Sequence, residues 1–182
     1  MKSFLREVII TIILAVIIFL AARATMQTFV VVMTSMEPNF HEGQRLVVNK
    51  AVYFFGDPSR GDVVIFDSPN NSNEDFIKRI IGIPGDTVEI KNGAVIINDI
   101  KLDEPYVMEA PVYIMAAKEI PEDSYFVLGD NRNHSNDSHN NWLVPRDNII
   151  GKAWLSTWPP DNWGTVLNYP LDEQVANADN QH

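Results

Sequence analysis

Residues Thr87–Ile97 read TVEIKNGAVII. Val88-Glu89-Ile90-Lys91 alternates apolar and charged side chains, the period of a strand with one buried face. Asn92-Gly93 follows, then the apolar run Ala94-Val95-Ile96-Ile97. Asn and Gly tolerate the positive φ of a type I′ turn, so the stretch predicts a β-hairpin. Similar short runs lie on either side of it. Phe29–Met33 leads into Ser35, and Arg45–Asn49, Asp62–Phe66, Phe76–Ile83, Tyr125–Leu128 and Ile149–Leu155 are bounded by turn residues. Pro84-Gly85-Asp86 stops the run before the hairpin. Ile100–Ile120, with Pro105 and Pro111, reads as an irregular excursion from the main sheet. The expected fold class is mainly β, a partly closed antiparallel β-barrel-like domain with one N-terminal helix.

That helix is the run Val8–Ala22, fifteen residues in which only Thr11 is polar. It covers about 22 Å against a hydrocarbon core of about 30 Å, and extension over Phe4–Ala24 reaches the needed length. Two readings compete. Arg6 and Arg23 can snorkel from a retained anchor. Equally, Lys2 and Arg6 form a basic n-region, and Ala22-Arg23-Ala24 has the small residues of a signal-peptide cleavage site. Both readings export the remainder, and Lys2 and Arg6 favour a cytoplasmic N-terminus.

The chain has 182 residues, no cysteine, and 24 acidic against 14 basic side chains, a net charge of −10. Disulfides, thiolate metal sites and a cysteine nucleophile are excluded. A nucleic-acid partner is disfavoured, since it needs a basic face. The stretch from Leu171 to His182 is polar and reads as a flexible tail.

Two segments carry chemistry. Ser35 follows an apolar strand and precedes a turn at Pro38, and Lys78 lies among Phe76, Ile77, Ile80 and Ile81. A lysine with its reference pKa of about 10.4 is neutral in only about one molecule in a few thousand at pH 7. An apolar surround lowers that pKa and makes the amine a usable general base. On a strand, Lys78 points the same way as Phe76 and Ile80, and Arg79 points the other way and stays charged. Each residue also has a plain structural reading, Ser35 as a turn serine and Lys78 as an edge-strand lysine. The polar segment 129–139, GDNRNHSNDSH, fails as a calcium loop because alternate positions from Asp130 fall on Arg132 and His134.

Four segments in order, SMEPN at Ser35, RGDVVIF at Arg60, KRIIGIPGD at Lys78 and GDNRNHSNDSH at Gly129, resemble type I signal peptidases. The form they resemble is the small, single-anchor one of Gram-positive-like bacteria. The resemblance implies Ser35 as nucleophile, Lys78 as general base, Ser135 as a hydrogen-bond partner of the amine and Asp137 as a structural carboxylate. It implies a Ser35 N–H in the oxyanion hole, no cofactor and no metal. The implied partners are exported preproteins with small residues at the first and third positions before the cut, and membrane lipid. Shallow pockets for those residues are expected from Phe29, Val31, Met36 and Ile77. The N-terminal segment becomes a retained transmembrane helix, with Ala22-Arg23-Ala24 a candidate self-cleavage site. Residues 1–25 are then the anchor, 26–168 an extracytoplasmic protease domain and 169–182 the tail.

Asn39 stands where the family usually has Thr or Ser. His139 stands where it has Arg, which is expected to weaken the pairing with Asp137. Met33 lacks the hydroxyl that serves some members as a side-chain oxyanion donor. Trp154, Trp158 and Trp163 read either as membrane-interface contacts or as core. Two other functions stay open, a self-cleaving Ser–Lys protease of the SOS-repressor type and an inactive β-domain that binds exported peptides.

Overall fold

The computed structural model describes residues 2–69, 74–169 and 171–179. Helix α1 covers Lys2–Thr25 and ends in the Ala22-Arg23-Ala24 turn. Its segment Phe4–Thr25 has a mean hydropathy of 2.6 and is long and apolar enough to cross a membrane. Strands follow at β1 Met26–Val30, β2 Arg45–Asn49, β3 Val63–Asp67, β4 Asp75–Gly82, β5 Thr87–Lys91 and β6 Ala94–Ile97. The remainder are β7 Ile100–Lys101, β8 Met115–Glu119, β9 Ser124–Leu128, β10 Val144–Pro145, β11 Ile149–Trp158, β12 Gly164–Thr165 and helix α2 Leu171–Asp179.

The larger sheet runs β1-β2-β11-β3-β4-β9-β10, with β12 on β11, and the smaller runs β7-β6-β5-β8. The strand pairs within both are antiparallel. The end strands β1 and β10 do not pair with each other, so the barrel is only partly closed. The hairpin forms at β5 and β6, with Asn92 at φ 53° and Gly93 at φ 72°. Val88 faces Ile97 and Ile90 faces Val95 across it, and all four are buried.

Several boundaries differ from the sequence reading, for local reasons. The 100–120 excursion contains β7 and β8, which extend the hairpin into the second sheet. Strand β1 stops at Val30 because Val31 bonds a turn instead: its N–H donates to Gln44 O and its carbonyl accepts from Gly43 N–H. Strand β11 continues to Trp158 through two register shifts that break the alternation past Ala153.

The stretch read as a flexible tail holds α2. Its Leu171 and Val175, four residues apart, enter the same core as Phe126 and Leu128. Gln174 accepts from Asp103 N–H and donates to Asp103 O, and Arg60 pairs with Asp172 at 2.6 Å. Two large apolar residues in a nine-residue helix leave almost no periodic signal.

The interior divides into three apolar clusters, and β4 touches each of them. Ile77 joins Phe29, Val31 and Met36; Phe76 and Ile80 join Val64 and Phe66; Ile81 joins the hairpin and α2. This central position dehydrates the polar groups that β4 carries.

The chain leading to α2 crosses Gly61 closely. Gly61 has φ +91°, and a Cβ there would lie 2.2 Å from Tyr169 O. Gly61→Ala is therefore expected to lose more than about 1 kcal/mol of stability. Limited proteolysis of the variant should cut within 166–179 at protease levels that spare the wild type. Equal protection of the two would contradict the packing described.

Candidate active site

Alternation along β4 sends Lys78 to the side of Phe76 and Ile80, and Arg79 to the opposite side. Lys78 is 2% exposed, and its Nζ lies 5.4 Å from the Phe76 ring centroid. The amine donates to Ile77 O at 2.9 Å and lies 2.7 Å from Ser35 Oγ. Ser35, 6% exposed, sits in a turn in which Glu37 N–H donates to Thr34 O and Phe40 N–H to Met36 O. The two residues, distant in sequence, thus meet in an enclosed contact. Burial lowers the Lys78 pKa to about 8 against the opposing pull of Asp137 and then Asp130.

The polar segment 129–139 holds this contact in place. Asn131 N–H donates to Ser35 O at 3.0 Å, and its side chain donates to Thr34 O at 3.1 Å. Gly129 permits the approach, since a Cβ there would lie 2.4 Å from Ser35 O and 2.3 Å from Ser135 Oγ. Asp137 is fully buried and accepts from Gly129 N–H at 2.9 Å. Ser138 Oγ accepts from Val127 N–H at 3.0 Å.

Arg79 is 1% exposed. Its guanidinium forms a two-pronged pair with Asp130, Nε to Oδ1 at 2.8 Å and Nη2 to Oδ2 at 2.7 Å. It lies 4.3 Å from the Tyr106 ring centroid, donates to Gly61 O, and its pKa is raised by Asp130 against the effect of burial. Asn39, the departure from Thr or Ser, donates to Asp130 Oδ2 and to Tyr106 O, each at 2.8 Å. An amide thus supplies the donor that Asp130 needs at this position.

At the position where the family has Arg, His139 keeps a contact with Asp137: its Nδ1 lies 2.6 Å from Asp137 Oδ1, and its ring stacks on Tyr113 at 4.1 Å. One expectation is corrected here, that of Ser135. Its hydroxyl makes no hydrogen bond to Lys78; Oγ is enclosed, with no partner among the described residues. It occupies the space left by the missing Gly129 side chain, beside the Ser35 turn, and so keeps an unmet hydrogen bond.

A cleft of about 410 Å³ opens over the pair, lined among others by Val32, Met33, Phe76, Glu42 and Glu74. Phe29, Val31, Met36 and Ile77 do not line it; they pack together beneath as core. Val31 and Met36 have no exposed surface, whereas Phe29 and Ile77 keep 9% and 5%. Strand period accounts for this, since Val31 turns inward and Val32 outward. Trp154, Trp158 and Trp163 are 43%, 53% and 68% exposed, which removes the core reading.

Sequence reasoning missed Gly129, Asn131 and the Arg79–Asp130–Asn39 group. The turn-forming run Gly129-Asp130-Asn131 directly after an apolar strand was the available signal. Nothing local in the sequence pairs positions 79 and 130.

A serine hydroxyl against a desolvated lysine amine, at the floor of a cleft on an antiparallel scaffold, is the arrangement of a peptidase that works without histidine. A family model described as "Signal peptidase, peptidase S26" matches residues 5–158. Signal peptidase I of Leptolyngbya laminosa is 43% identical over 139 residues, 72% of this chain and 68% of that protein. Signal peptidase I of Bacillus licheniformis is 38% identical over 170 residues, 87% and 91% of the two chains. A solved signal peptidase I from Enterococcus faecalis V583 is 32% identical, with a TM-score of 0.49 over 53% of this chain and 97% of its own. The chain belongs to the signal peptidase family, peptidase S26.

The lowered Lys78 pKa has a consequence for stability. The unfolded chain holds this proton up to about 10.5 and the folded chain only up to about 8. Below pH 8 folding bears the full penalty of the buried cation. Between these values the unfolded state binds more protons, so stability rises with pH. The gain is about 3 kcal/mol. Lys78→Met lacks it. Urea unfolding in detergent should show wild type gaining about that amount on Lys78→Met from pH 7.5 to 10.5. A pH-independent difference would count against a buried, depressed amine.

Proposed function

We propose that the protein is a membrane-anchored serine endopeptidase that removes signal peptides from exported preproteins, with Ser35 as nucleophile and Lys78 as general base. The observation that carries this reading is the 2.7 Å contact between Lys78 Nζ and Ser35 Oγ at nearly complete burial. Family membership supports the substrate class. It also favours this reading over a self-cleaving repressor.

The neutral amine has two N–H groups and one lone pair. One N–H is engaged by Ile77 O, and the lone pair takes the Ser35 hydroxyl proton as Oγ attacks the scissile carbonyl carbon. The carbonyl oxygen becomes an oxyanion, for which the Ser35 N–H is the proposed donor. Collapse breaks the C–N bond, and Lys78 passes its proton to the departing amine. Water then attacks the Ser35 ester, giving a proton to Lys78. Ser35 is regenerated when the ester C–O bond breaks and the proton returns to Oγ. Ser135 and Asp137 are positioning residues in this scheme, Asp137 by holding Gly129 and Ser135 by packing against the Ser35 turn.

A substrate lying extended between the chain before Ser35 and strand β4 adds as a strand and presents alternate side chains to the floor. Val32, Met33 and Phe76, which line the cleft, are the walls it meets, above the buried Phe29, Val31, Met36 and Ile77. Such bulky walls leave room for alanine and overlap with larger groups. Residues 1–25 form the anchor, with its N-terminus in the cytoplasm and the β-domain on the extracytoplasmic face. The exposed tryptophans of β11 and the segment after it rest on membrane lipid.

With a pKa of about 8, roughly one lysine in ten is neutral at pH 7. Cleavage of a preprotein bearing an A-x-A site should rise about tenfold from pH 7 to pH 9. Ser35→Ala and Lys78→Ala should each lower it by about three orders of magnitude or more while the fold persists. Retained turnover in either folded variant would sink the mechanism. No turnover of the wild type at any pH would favour the peptide-binding reading.

A further inference from the structure

The cleft over Ser35 carries two carboxylates that the proposed mechanism does not use. Glu74, Phe76 and Lys78 occupy alternate positions, and all three line this one cleft. Glu74 lies just before β4, but Ser68 N–H donates to its carbonyl, so the β3–β4 ladder continues through it. Gly43 N–H donates to Val31 O, which holds Glu42 beside Val31 and Val32. Glu42 and Glu74 thus both line the cleft that holds Ser35 and Lys78.

Among the described residues neither carboxylate has a salt bridge or a side-chain hydrogen bond, although acids elsewhere are paired, as Asp62 is with Lys152 and Glu104 with Arg132. The other ionisable groups lining the cleft are Lys78, which is buried, and His134. Asp67 and Asp75 face each other across β3 and β4 but line no part of the cleft, since alternation turns Asp75 to the other face of β4. A strand rises about 3.3 Å per residue, so Glu74 stands about 13 Å from Lys78 along β4. A substrate strand in the same cleft spans that distance in about four residues.

We propose that Glu42 and Glu74 form a cation-selecting mouth of the cleft, which favours substrates carrying Lys or Arg four or five residues before the scissile bond. This inference rests on the proposed peptidase function and the extended substrate strand. It adds the charge preference at a position remote from the alanine pockets. Contacts so far from the reacting atoms act on ground state and transition state alike, so the preference falls on KM rather than kcat.

The test uses the full-length protein in phosphatidylcholine vesicles and synthetic A-x-A peptides. Lys, Gln or Glu is placed singly at each position two to six residues before the bond. Wild type should cut the Lys peptide about fivefold more efficiently than the Gln peptide at position four or five, and the Glu peptide less efficiently. The difference should reside in KM and fade at 1 M salt, where the screening length is about 3 Å. In the Glu42→Gln, Glu74→Gln double variant the ratio of Lys to Gln cutting should fall within about twofold. Equal cutting of Lys and Glu peptides by wild type, or an unchanged preference in the double variant, overturns the proposal. If no peptide is cut by wild type, the function itself fails and this inference falls with it.

Discussion

The ε-amine of Lys78 has to lose its charge inside a protein whose net charge is −10. Burial on β4 supplies the force: Lys78 is 2% exposed, and its Nζ lies 5.4 Å from the Phe76 ring centroid. Two buried carboxylates, Asp137 and Asp130, pull the other way. Their pull is limited because each is already engaged. Asp130 faces the Arg79 guanidinium and the Asn39 amide, and Asp137 accepts from Gly129 and lies against His139. The Arg79–Asp130 pair is thus an electrostatic condition for the lysine one residue away. Adjacent residues on one strand have their pKa values moved in opposite directions because alternation sends one to an apolar pocket and the other to a carboxylate.

Much of the remaining fold serves that arrangement. The three apolar clusters meet on β4, so no single face of the strand is left wet around Lys78. The segment 129–139 returns across the strand ends and fixes the Ser35 turn through backbone bonds, which the missing side chain of Gly129 permits. The approach to α2 covers Arg79 from the far side, where Tyr169 lies 5.1 Å from the guanidinium. The cleft opens above Ser35 and Lys78.

The hairpin at Asn92-Gly93 and the strands at Arg45–Asn49 and Ser124–Leu128 were legible because period and turn chemistry agree there. The side of β4 that Lys78 faces followed from alternation alone. Helix α2 was not legible, since Leu171 and Val175 give it too little pattern and its hold comes from Asp103, Arg60 and the core. The partners of Asp130 and the enclosure of Ser135 were equally hidden, because they depend on contacts between segments far apart in sequence. The same limit applied to the pockets. Residues lining the cleft and residues beneath it differ by one position, which strand reading resolves only when the strand's end is known, and β1 ends at Val30.

The state of the Lys78 amine is directly observable. Lysine labelled with 13C at the ε-carbon, introduced into the full-length protein in detergent, reports each amine's titration by NMR, and Lys78→Met assigns the resonance. The resonance assigned to Lys78 should titrate with an apparent pKa of about 8. A midpoint close to 10.5, the value of a solvated lysine, would contradict the account.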